Sequence, residues 1–288
     1  MSAATGGPSA PAFVCAFAVT RTPPDVDALA AATGHEEGGP LRVLHAGGLS
    51  LVVQDVPAAL FDEEALARRL NRPDDLERCA RAHHRGVEAA SGQGPVVPLP
   101  MATLYRGDDR AREAVAARAA VLGTLLDRLR GRREWAVKVH AAARATDADT
   151  TTVGAPAATG GRAYLSRASA RRRDRQETHG RALAEAEAVD TELRRYAVAA
   201  TRHRPQSERL TGRRTLQLLN AAYLVEDAAS PAFTRALAGL TADGRLAAVE
   251  VCVSGPWIPY SFARWDEDPD ITEHAGTRHD RTEQEAPS

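Results

Sequence analysis

Lysine is nearly missing from this chain: Lys138 stands alone, and the rest of its 37 lysines and arginines are arginine. Neither charge sign is in excess, the net being -1, which excludes a general attraction to nucleic acid or anionic lipid. Cysteine is scarce. Cys15, Cys79 and Cys252 lie far apart, which is no disulfide framework and reads as small buried thiols in a reducing compartment. No apolar run approaches the ~20 residues of a membrane-spanning helix. Residues 1–12 carry neither a charged n-region nor an apolar h-region, so a soluble, cytoplasmic protein is expected. Gly38-Gly39 and Gly160-Gly161 show neither the dinucleotide nor the phosphate-loop spacing, and no cofactor is expected. Aromatic residues are only 5% of the chain, so a dense group of them marks either a core plug or an anchor for a partner.

What is present is globular in composition, 43% hydrophobic and 26% charged, and 288 residues suffice for two ordinary domains. Phe13–Val19 is an apolar run of strand length, and Pro23-Pro24-Asp25 opens a short helix through Leu29. Leu41–Leu44 and Leu49–Val53 form two strands across Gly47-Gly48. Helices follow from Asp62 to Leu70 and from Pro73 onward. Pro95–Met101 is too rich in proline for a central strand and is placed at an edge or as a connector. A helix from Asp108 to about Gly131 lines up Ala111, Val115, Ala119, Leu122, Leu126 and Leu129. Glu134–His140 then closes this half as a strand, with Trp135, Val137 and Val139 facing inward. The order predicts an α+β fold of two domains, the first a ferredoxin-like α+β domain with inserted helices over residues 13–142.

Residues 143–161, rich in Ala, Thr, Asp and Gly, read as a linker. Arg162 to about His203 reads as one long helix whose buried face is Leu165, Leu183, Ala186, Leu193, Tyr196 and Ala200. A strand over Leu216–Val225, a helix from Pro231 to about Thr241, and a strand carrying Val249, Val251 and Val253 complete a C-terminal α+β domain over 162–265. Gly255-Pro256 is expected to stop the last strand. Residues 1–12 and 266–288 are expected to be disordered tails.

The aromatic cluster Trp257, Ile258, Tyr260 and Phe262, stiffened by Pro256 and Pro259, is the feature that composition singles out. Two readings stand: a plug over the sheet of the second domain, or a partner anchor. His84 and Glu88 share a helical face at i and i+4, but no companion ligands join them or His83, and no metal site is expected. The cysteines lack a neighbouring base, and no catalytic residue is assigned. The run Arg167, Arg171, Arg172, Arg173 and Arg175 is the one basic patch; Asp174, Glu177, Glu185 and Glu187 follow on the same helix and no aromatic platform is interleaved. That pattern favours a solvated, salt-bridged helix face over a nucleic-acid-binding regulator, and leaves an acidic protein partner as a further reading.

Gly255-Pro-Trp-Ile-Pro-Tyr-Ser-Phe262 resembles the Gly-Pro-Trp-Pro-Pro-Tyr-Ser-Phe signature of the gas vesicle protein F and L family. Leu219–Val225 resembles that family's Leu-Asn-x-Ala-Tyr-Leu-Val segment, Gly161–Leu165 its Gly-x-x-Tyr-Leu helix opening, and Glu134–Val139 its Glu-Trp-x-Val-Lys strand. Val97–Thr103 is similar to its proline-rich connector, with Met101-Ala102 in place of the Phe-Gly often seen there. Ile258 replaces a proline of the octet. The resemblance implies a non-enzymatic accessory or minor structural protein of gas vesicle assembly, without cofactor or small-molecule substrate. It would contact the small hydrophobic shell protein and other gas vesicle proteins in the cytoplasm and on the vesicle. Trp257, Tyr260, Phe262, Arg171, Arg172 and Arg173 are the expected contact residues.

Overall fold

The computed structural model describes residues 12–142, 161–205, 215–242, 244 and 246–264; the expected tails apart from Ala12, most of the linker and the side chains of Leu165 and Arg167 lie outside that range. Four strands make the first sheet: β1 (Ala12–Thr20), β2 (Arg42–Ala46), β3 (Leu49–Pro57) and β4 (Val96–Tyr105). Their order is β2-β3-β1-β4 and every neighbouring pair is antiparallel. With α1 (Val26–Ala31) between β1 and β2, and α2 (Ala58–Phe61), α3 (Glu63–Leu70) and α4 (Pro73–Ala90) between β3 and β4, this is the βαββαβ arrangement of a ferredoxin-like unit with extra helices. β4 lies at an edge, where Pro98 and Pro100 are tolerated.

The strand expected to close this half does not belong to it. β5 (Arg132–Ala141) sits in a second antiparallel sheet ordered β6-β7-β5-β8, between β7 (Gln217–Glu226) and β8 (Val249–Trp257), with β6 (Ala199–Arg202) at the far edge. The place beside β1 is already taken by β4, which leaves β5 free to pair elsewhere. A boundary at residue 142 therefore does not separate the two sheets.

Each sheet is buried by helices. Cys15, Phe17, Val52 and Val96 of the first sheet pack with Leu29, Phe61 and Val87 of α1, α2 and α4. The other face, with Val14, Ala16, Leu51 and Val53, packs on α5 (Asp108–Ala117) and α6 (Ala119–Leu129) through Val115, Leu122 and Leu126. Ala222 and Leu224 of β7 join that same core, so it is shared by the two sheets. The single helix expected over 108–131 is broken at Arg118 (φ −112°, ψ 12°). That break falls where the β2–β3 turn presses in: a Cβ on Gly47 would stand 2.9 Å from Ala119 Cβ and 3.2 Å from Ala116 Cα.

The opposite face of the second sheet, with Val137, Val139, Leu219 and Tyr223, is covered by α7 (Gly161–Arg194) and α8 (Ser230–Ala242). α7 is shorter than expected. It stops at Arg194, and Ala199–Arg202 turns back as strand β6, an alternative that an alanine-rich stretch does not reveal. Its buried stripe is Ala182, Ala186, Val189 and Leu193, at helical spacing, whereas Leu183 is exposed. Residues 169–177 of α7 face solvent throughout.

Candidate partner-binding surface

β8 does not stop at Gly255-Pro256. The peptide between them is cis, and the strand runs on to Trp257, which lies opposite Glu134 on β5. Only glycine fits at 255: its φ is +138°, and a Cβ there would meet Glu134 O at 2.9 Å. The segment from Trp257 to Ala263 then crosses from the second sheet to the first as a strap. Ile258 is buried in the core on the α4 side of the first sheet. Phe262 and Ala263 are buried in the core on its α5–α6 side. The expected plug thus exists, but Ile258 and Phe262 form it: Ile258 closes the α4-side core of the first sheet, and Phe262 closes the core that the two sheets share.

The other two aromatics of the strap face outward. Trp257 is 45% exposed and Tyr260 37%. Trp257 Nε1 donates to Ser254 Oγ at 3.2 Å, so its polar atom is satisfied within its own strand. Both rings flank His84 of α4, with centroids 6.4 Å and 6.0 Å away, and Tyr260 Oη lies 3.0 Å from His84 Nδ1. Burial, together with the Glu88 and Glu134 carboxylates, pushes the Tyr260 phenol above its ordinary value. The phenol therefore stays protonated, and its hydroxyl can donate to His84 Nδ1.

The strap is pinned from below. Glu134, buried at the start of β5, accepts from Ser261 N–H at 2.8 Å and from Ser261 Oγ at 2.7 Å. His203 Nε2 lies 3.1 Å from the same Oγ. Desolvation raises the Glu134 carboxyl against the opposing effect of its Ser261 bonds and His203. A serine, a histidine and a carboxylate meet here, but the serine stands between the other two. Its single proton goes to Glu134, so the hydroxyl is an anchor and not an activated nucleophile. Sequence reasoning missed this contact, although Glu134 and Ser261 both lie in stretches singled out above.

A second buried anchor holds α7 to its sheet. Asp190 accepts from Tyr223 Oη at 2.5 Å, from Arg194 Nε at 2.8 Å and from Arg202 Nη2 at 2.5 Å, and Arg202 also reaches Glu187. Burial would raise this carboxyl, but the three donors outweigh it and hold it below the usual carboxylate range. Asp190→Ala is expected to cost about 2–3 kcal/mol in denaturant unfolding. The change strands the Tyr223 hydroxyl without an acceptor, whereas both arginines can return to water. Tyr223→Phe, which leaves Asp190 paired to both arginines, is expected to cost about 1 kcal/mol. Equal losses from the two variants would contradict this division.

The remaining expected residues do not converge. Arg171, Arg172 and Arg173 lie exposed on the solvent-facing half of α7. His83 is buried, its Nε2 3.0 Å from Leu99 O, while His140 is buried in the second sheet. Among the described residues, no three His, Cys, Asp or Glu side chains are grouped so as to hold a metal ion. Another surface went unforeseen. A groove of about 630 Å³ runs between α7 and α8, lined by Ala184, Ala188, Ala236, Gly239 and Leu240 with Glu185 and Glu192 along it. Its only signal in the sequence was the spacing of small residues, Ala184 and Ala188 four apart on α7 and Ala236 and Gly239 three apart on α8.

The arrangement of two helix-covered antiparallel sheets matches the fold of solved gas vesicle protein GvpF structures. The crystal structure of GvpF from Anabaena sp. PCC7120 superposes with a TM-score of 0.58 at 17% identity, covering 88% of this chain and 96% of that one. GvpF from Microcystis aeruginosa gives 0.56 at 15% identity, covering 88% and 99%. At the level of sequence, the pattern of the gas vesicle synthesis protein GvpL/GvpF family matches residues 14–264, and the chain belongs to that family. Gas vesicle protein L of Streptomyces sp. (strain CB03234) is 40% identical over 263 residues, which span 90% of this chain and 96% of that protein. Among the described residues no helix is long and apolar enough to cross a membrane.

Proposed function

We propose that this chain is a non-enzymatic accessory protein of gas vesicle assembly that works in the cytoplasm and on the vesicle. It holds the small hydrophobic shell protein through Trp257 and Tyr260, and the arginines of α7 supply a contact for acidic surfaces of other gas vesicle proteins. The observation that supports this reading best is the pairing of exposure with rigidity on the strap. Two large aromatics stand open to solvent while their neighbours Ile258, Ser261 and Phe262 are buried or pinned. Rings ordered in advance lose little freedom on binding and make strong interface anchors. Shell subunits that will build a water-excluding wall expose apolar surface before assembly, and such anchors can cover it.

The test is capture of purified shell subunit by the full chain and by the Trp257→Ala/Tyr260→Ala double variant. Capture is expected to fall at least about tenfold, since each buried aromatic anchor is worth ~2 kcal/mol or more. The melting temperature should shift by no more than a few degrees. Undiminished capture by the double variant would move the shell contact away from the strap.

A further inference from the structure

A small cavity of about 100 Å³ opens between the loop that follows α1 and helices α3 and α4, far in function from the aromatic strap. Arg69, Arg78, Arg81 and Arg85 line it together with His35, and Glu36 is the one carboxylate among its lining residues. Two of these arginines are already neutralised. Arg78 pairs with Asp75 and lies 3.9 Å from Glu36, and Arg81 pairs with Glu77 at 2.6 Å. Among the described residues, the other two have no carboxylate partner. Arg69 donates to Leu60 O at 3.4 Å and stands 5.0 Å from the Phe61 ring centre, and Arg85 donates to Thr33 O at 2.8 Å. Each guanidinium has five donors, and these bonds use one apiece.

His35 supplies an independent sign of a ligand. It is only 5% exposed, and its Nε2 has no hydrogen-bond partner among the described residues. A buried ring nitrogen without a partner is costly and uncommon in a folded protein. The residue is also fixed in place: its N–H donates to Gln54 Oε1 at 2.8 Å, and Gln54 Nε2 donates to His35 O at 3.1 Å and Gly39 O at 2.7 Å. Gln54 is so close to the loop that a Cβ on Gly34 or Gly38 would collide with its amide at 2.4 Å.

We propose that this cavity binds a small phosphate-type oxyanion between Arg69 and Arg85, with the His35 ring as a buried third donor. The volume is about three times a water molecule's ~30 Å³ share of the liquid, and well under the ~300 Å³ at which pockets for larger ligands begin. It has room for one anionic group. Planar guanidinium forks suit such an oxyanion, and a neutral imidazole can donate from Nε2.

The experiment titrates the full chain with inorganic phosphate at constant ionic strength, read by calorimetry and by the ring resonances of His35. Saturable one-to-one binding is expected, with the His35 ring signals moving along the same isotherm. Arg85→Gln and Arg69→Gln should each weaken it about tenfold or more, the worth of a hydrogen bond to a charged group. Arg171→Gln, on the exposed part of α7, should leave it unchanged. Absence of saturable binding to the unsubstituted chain would overturn the proposal, as would unmoved His35 signals or equal weakening by Arg171→Gln. Acetate binding as tightly as phosphate would overturn the assignment to a tetrahedral oxyanion. Because the unsubstituted protein carries the ring-signal measurement, a variant that fails to fold does not blunt the test.

Discussion

Phe262→Ala should lower the unfolding free energy by about 3–5 kcal/mol, the range for removing a large side chain from a core that cannot collapse around the void. Phe262 is buried among residues of the first sheet, of α5–α6 and of β7, so the cavity would open where several rigid elements meet. Trp257→Ala, five residues earlier, should cost under about 1 kcal/mol, since that ring is nearly half exposed and its N–H bonds within its own strand. Denaturant unfolding of both variants measures the contrast. If Trp257→Ala proved the more damaging, the division of the strap into buried and exposed aromatics would be wrong.

Acid should destabilise the protein well above the pH at which carboxylates titrate. His35 and His83 are buried against Phe17, and desolvation lowers each from the ordinary 6.5 to about 4. Nearby positive charge adds to the effect: His83, Arg69 and Arg85 for His35, and His84 for His83. The backbone bond to Leu99 opposes it for His83. With folded values below the unfolded one, the unfolded chain takes up protons first. Their stabilisation is complete above about pH 6.5 and is lost as the pH falls towards 4. Between pH 7 and pH 4.5 the two together should remove about 5 kcal/mol, from ~1.4 kcal/mol for each tenfold difference in proton affinity. His83→Gln should roughly halve the slope of stability against pH in that interval. A flat profile between pH 7 and pH 5 would show that both rings reach solvent or a proton acceptor.

The local signals in the sequence were strong and the long-range ones weak. Alternation in Glu134–His140 marked a strand with a buried face but carried nothing about which sheet would receive it, because a period of two is the same in either. Pro98 and Pro100 pointed correctly to an edge, and Asp62 and Pro73 to the starts of α3 and α4, since caps and missing donors act within a few residues. The break at Arg118 lies in a run of good helix formers and coincides with a contact from the Gly47 turn, so no local rule reports it. Likewise His84 and Tyr260 are 176 positions apart, and only the folded chain brings them together. Asp190 could have been noticed: it sits beside Val189 on the stripe shared with Ala186 and Leu193, where an acid needs partners.

The strap also sets the timing of folding during synthesis. A ribosome delivers β1 to β4 first, yet two side chains that complete their packing, Ile258 and Phe262, leave the exit tunnel more than a hundred and fifty residues later. Until then the early half has open seams on both faces, and a fragment ending near residue 142 keeps them open for good. The sheet that is made first is completed by residues made long after it.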